Sequence, residues 1–154
     1  MLVGEDATLE QLRWHIGRAD VLHLACHAQF RTDNPRFSAL HLLDGALTAE
    51  AAESMPLKPG ICVLSACETG LADYGEADDM VGLVRSFMAG GAARVVASLW
   101  PVDDAVTVDV MGAFYTALRS GQPCAAALQQ AQATVRARHP HPFYWSAFSL
   151  YGGW

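Results

Sequence analysis

Residues 61–67, Ile-Cys-Val-Leu-Ser-Ala-Cys, are apolar almost throughout and show no polar alternation. A strand written this way is buried on both faces, the mark of a parallel sheet covered by helices. Two more runs share that character: residues 21–27 upstream (Val-Leu-His-Leu-Ala-Cys-His), and residues 94–100 downstream, closed by Pro101. A last strand is expected over residues 146–151.

Helical patterns fill the intervals. Leu9, Leu12 and Ile16 share a face over residues 8–18, where Thr8 caps and Gln11 sits three positions on. Thr48 opens a short helix that runs to about Met55, before Pro56. Met80, Leu83, Val84 and Phe87 mark another, which stops at Gly90-Gly91. Helices over 104–119 and 123–138 follow, separated by Ser120-Gly121-Gln122-Pro123. Residues 28–44 read as irregular, with a short extended arm over 40–43. Strands alternating with helices predict an α/β fold, a mostly parallel sheet with helices on both faces. The working site of such a sheet lies beyond the carboxyl ends of its strands.

Composition narrows the function. The chain has 154 residues, 52% of them hydrophobic and 17% charged, which suits one domain with a buried core. Its net charge is −6 and no run of Lys or Arg is present, so nucleic acid is not an expected partner. No apolar stretch has bilayer length and no signal pattern opens the chain, which sets the expectations of no membrane and a cytoplasmic location. The four cysteines, at 26, 62, 67 and 124, then read as reduced thiols.

Two of the strand ends carry chemistry. The first run ends in His27 and the second in Cys67. On neighbouring parallel strands they emerge at one edge, one or two strand spacings of about 4.8 Å apart. The pairing suits a nucleophile and its base, because only the thiolate attacks a carbonyl efficiently and an imidazole beside it takes the proton. Backbone amides at Cys67 and Ala28 are the expected oxyanion donors, each worth about 3 kcal/mol where such donors have been removed. His23 lies further back in its strand and is expected to pack internally. Cys26, Cys62 and Cys124 read as core. A zinc site from His23, Cys26 and His27 is disfavoured, since His-x-x-Cys on one strand projects to opposite faces. Position 73 is Asp, where a cysteine phosphatase needs Arg. No metal and no cofactor are expected.

Four runs give a more specific reading: His-Leu-Ala-Cys-His-Ala (23–28), Leu-Ser-Ala-Cys-Glu-Thr-Gly (64–70), Ser-Leu-Trp-Pro-Val-Asp-Asp (98–104) and Phe-Tyr-Trp-Ser-Ala-Phe (143–148). In this order they closely resemble the CHAT family, caspase- and separase-like cysteine peptidases often found beside TPR repeats in bacterial proteins. The resemblance runs from about residue 5 to the C-terminus. It implies a caspase-like three-layer sandwich over residues 1–154, with His27 as base and Cys67 as nucleophile. It also implies a protein or peptide substrate. Full CHAT domains are longer, so the chain reads as their C-terminal catalytic part, lacking N-terminal strands. A sheet edge left bare by such a gap invites self-association or a TPR-containing or other partner. Ala28 stands where the family has Gly, which bears on the oxyanion hole.

Separase-like peptidases resemble one another in choosing a basic P1 side chain with an acidic residue. Asp103 and Asp104 follow the third strand at the expected edge, and Asp104 matches the acidic position best; each also suits a helix cap. Trp100 reads as a pocket wall or as packing. Glu68 and the acidic loop over 73–79 favour a basic peptide or are simply solvated. The competing function is a non-catalytic caspase-like interaction module, or a split subunit whose sheet a partner completes.

Overall fold

The computed structural model describes residues 2–31, 33–58, 60–65, 67–68, 78–101 and 103–153. Its elements run α1 (Leu9–Ile16), β1 (Val21–Leu24), β2 (His27–Gln29), β3 (Ala39–Leu42), β4 (Gly45–Thr48), α2 (Ala49–Glu53), β5 (Ile61–Leu64) and β6 (Cys67–Glu68). They continue with α3 (Asp78–Ala89), β7 (Arg94–Ser98), α4 (Asp104–Arg119), α5 (Cys124–Arg138), α6 (Pro142–Trp145) and β8 (Phe148–Gly152). Local chemistry sets several boundaries. Thr8 Oγ1 accepts the Gln11 amide at 3.2 Å and starts α1, and Thr48 Oγ1 accepts the Ala51 amide at 3.1 Å and starts α2. After α4 the chain turns through Gly121, whose φ of +88° suits a residue without Cβ.

The main sheet has the order β1-β5-β7-β8. Its first three strands are parallel and β8 returns antiparallel to β7. Side chains alternate between two cores. Cys62, Leu64, Val95 and Ala97 face α1, α2 and α3, where Ile16, Leu83 and Phe87 are buried. Val63, Val96 and Phe148 face α4 and α5, where Val110, Phe114, Ala127 and Val135 are buried. The protein is thus α/β, with helices on both faces of a mostly parallel sheet.

A second sheet, of order β4-β3-β2-β6, corrects the expected strands in three places. The run 21–27 is two strands rather than one: β1 stays in the main sheet, and after Ala25-Cys26 the chain starts β2 in the second. The run 61–67 divides in the same way into β5 and β6. Residues 28–44, expected to be irregular apart from a short extended arm over 40–43, hold the end of β2, a 3-10 turn over Pro35–Phe37 and β3, which starts one residue before that arm. The physical reason is an apolar face that the second sheet turns inward. Ala28, Leu40 and Leu47 belong to the same core as α2 and α3, so the chain bends to close that core at one end. Nor is β1 buried on both faces: it is an edge strand, and Val21 is 42% exposed. The last strand starts at Phe148 rather than 146, because Ser146 is taken up as the C-cap of α6.

Candidate functional site

Sequence order brings His27 and Cys67 together at the start of two adjacent strands. β2 and β6 pair in parallel with His27 opposite Cys67 and Ala28 opposite Glu68. Register partners on adjacent strands lie about 4.8 Å apart. His27 is exposed, as is Gln29 two positions on, whereas Ala28 between them is buried against the core. The outer face of the second sheet is therefore where His27 meets solvent.

The structure bears on the expected oxyanion donors. The ladder continues past Cys67, since Glu68 pairs with Ala28. Ala28 itself has 0% of its surface exposed and sits in a central strand between β3 and β6, so its amide is not presented to a substrate. Residues 69–77, including Gly70 and most of the acidic loop, lie outside the described residues; Asp78 and Asp79 open α3.

Behind this pair sits a polar network. His23 Nε2 is 2.8 Å from Ser65 Oγ, and His23 Nδ1 is 2.8 Å from the Tyr115 hydroxyl, which reaches in from α4. Both ring nitrogens are thus engaged, and the Tyr115 ring lies 5.7 Å from the imidazole. Burial lowers the pKa of His23 and, as the largest cause, raises that of Tyr115, so both groups are held neutral near pH 7. His23 does pack internally, but as a bridge rather than as filler.

The residues expected on the substrate side divide by environment. Asp103 Oδ1 accepts the amides of Ala105 at 2.9 Å and Val106 at 3.4 Å, which caps α4. Asp104 is the exposed first residue of that helix. Trp100 donates its indole N–H to the Phe143 carbonyl at 2.9 Å and stacks on the Phe143 ring at 6.3 Å, which ties the end of β7 to α6. Burial pushes the Cys26 thiol up to about 11 and also raises Cys62 and Cys124, as expected of core thiols.

The profile of the CHAT domain matches residues 1–153. The chain belongs to the CHAT domain family. That family is caspase-like and peptidase-related, in keeping with an α/β sheet whose parallel strands lead into the His27–Cys67 pair. Tetratricopeptide repeat protein 28 from mouse and its human counterpart are each 27% identical to this CHAT domain over 98% of its length. The chain spans only 8% of either relative.

Sequence reasoning missed three residues. His41 on β3 is exposed and is the register partner of His27 on the side away from Cys67. Ser65 and Tyr115 complete the His23 bridge. Ser65 lies two residues from Cys67 and was legible as a polar break in an apolar run. Tyr115 is 92 positions from His23, and no local pattern links the two.

Proposed function

We propose that this CHAT domain is a cysteine endopeptidase with Cys67 as nucleophile and His27 as general base. The observation that carries the reading is the register of β2 and β6, which makes the two residues neighbours where His27 is open to solvent. In the reaction His27 takes the thiol proton and the sulfur attacks the substrate carbonyl. The C–N bond then breaks, the amine leaves with the proton from His27, and water hydrolyses the thioester to restore the thiol. Of the two expected oxyanion donors only the Cys67 amide is retained, since Ala28 is enclosed.

The substrate is a peptide cleaved after Arg or Lys, a choice supported by the exposed Asp104 at the start of α4. Glu68 and Trp100 complete the proposed substrate side. Residues 1–154 act as a single unit in the cytoplasm; among the described residues no helix is long and apolar enough to cross a membrane. The names of the two relatives support a TPR-containing neighbour or partner.

The test is labelling of Cys67 by peptide electrophiles carrying Arg or Asp at P1, read by peptide mapping. Fast labelling with Arg that is lost in His27→Ala is expected. Labelling no faster than that of buried Cys124 would instead favour a non-catalytic module. The enclosed Ala28 is the feature that speaks for that second reading.

A further inference from the structure

The two strands that lead to the proposed dyad cross from one sheet to the other without slipping. β1 and β5 pair at an offset of 40 residues, from Val21↔Ile61 to Leu24↔Leu64, and β2 and β6 pair at the same offset in His27↔Cys67. Two positions separate β1 from β2, and two separate β5 from β6. A crossing is where a register is weakest, because the ladder is interrupted there. A slip of one residue moves every side chain of a strand to the opposite face.

Two interactions tie β1 to Ser65, the first residue past β5. The Ser65 amide donates to the Leu24 carbonyl at 3.1 Å, and His23 Nε2 meets Ser65 Oγ at 2.8 Å. The imidazole is in turn held from α4 by the Tyr115 hydroxyl. An apolar side chain at position 23 would cover the sheet as Val63 and Val96 do beside it, without desolvating polar groups. What the imidazole adds is two directional bonds from one rigid ring, one to a helix and one to the crossing.

We infer that His23, Ser65 and Tyr115 form a positioning bridge that holds the crossings in register and so keeps His27 beside Cys67. The inference rests on the dyad reading above. None of the three residues touches substrate; they act through the backbone that carries the reacting groups.

The test is the rate of Cys67 alkylation by iodoacetamide against pH, with peptide mapping, in the full chain and in Tyr115→Phe, Ser65→Ala, Ser65→Thr and His27→Ala, each with a thermal melt. Tyr115→Phe and Ser65→Ala fold and lose about tenfold in rate at neutral pH, with the pH profile of alkylation displaced to higher pH. Ser65→Thr keeps the hydroxyl and the rate. Lower melting temperatures with an unchanged pH profile would mean a merely structural network and overturn the bridge. So would slow alkylation in His27→Ala alone, an outcome that leaves the dyad standing. Full reactivity in His27→Ala would sink the dyad reading, and the bridge with it.

Discussion

Replacing Asp103 by Asn separates helix capping from the substrate contact proposed at the start of α4. The Asp103 carboxylate caps α4 through a single oxygen, 2.9 Å from the Ala105 amide and 3.4 Å from the Val106 amide. Asn caps about as well as Asp, whereas Ala forfeits about 1 kcal/mol. For a chain of this size that loss lowers the melting temperature by about 2–4 °C. Asp103→Asn loses only the attraction between the charge and the helix dipole, about 0.3–1 kcal/mol at an exposed terminus. Asp104 makes the opposite case: it is exposed and free to meet a basic side chain. An exposed ion pair is worth up to about 1 kcal/mol, so Asp104→Asn lowers kcat/KM for a P1-Arg peptide by up to about fivefold. The assay pairs thermal melts of Asp103→Ala, Asp103→Asn and Asp104→Asn with kcat/KM for P1-Arg and P1-Asp peptides. Loss of the Arg preference in Asp103→Asn at an unchanged melting temperature would refute the division of labour. An unchanged melting temperature in Asp103→Ala would refute the cap.

Three further outcomes are expected. At pH 7.5 a Cys26 thiol held at about 11 is ionised in roughly one molecule in 3,000, so Cys26, Cys62 and Cys124 alkylate far more slowly than Cys67 in the folded protein; equal labelling of Cys26 in peptide maps would contradict this. Gly60→Ala places a Cβ 2.2 Å from the Asp20 carbonyl oxygen, which accepts the Ile61 amide where β5 joins β1; overpacking of about 1–3 kcal/mol lowers the urea midpoint, and an unmoved midpoint would show that the backbone yields freely. Because burial lowers the folded-state pKa of His23, its neutral form contributes stability above the unfolded value of 6.5, and that contribution is lost as pH falls below it. His23→Gln therefore flattens the decline of melting temperature between pH 7 and pH 5, and an identical slope in the variant would remove His23 as the cause.

The layered sheet was legible because its signals are local. Continuous apolar runs marked β5 and β7, and threonines at the right spacing marked the starts of α1 and α2. The second sheet was not legible for an equally physical reason. Ala25, Cys26 and Ser65 are small residues that suit the continuation of a strand as well as a bend, and the change of sheet is decided by Ala28, Leu40 and Leu47 meeting a core they share with Phe87. Such contacts leave no mark within a window of ten residues. The Tyr115 arm of the bridge was hidden in the same way, by distance along the chain.

The adjacency of positions 27 and 67 was nevertheless readable, although the strands expected to carry it were drawn wrongly. Both chains leave the main sheet at the same level and re-pair at the same offset. The equal offset therefore pairs His27 with Cys67 just as two unbroken strands would. Had one crossing been a residue longer, the apolar runs would look the same and Cys67 would stand opposite a different position in β2. Nothing in the runs themselves fixes the two crossings at equal length. The bond between His23 and Ser65 lies where such a slip would occur, so this bridge is the first place to look for loss of function that leaves the core intact.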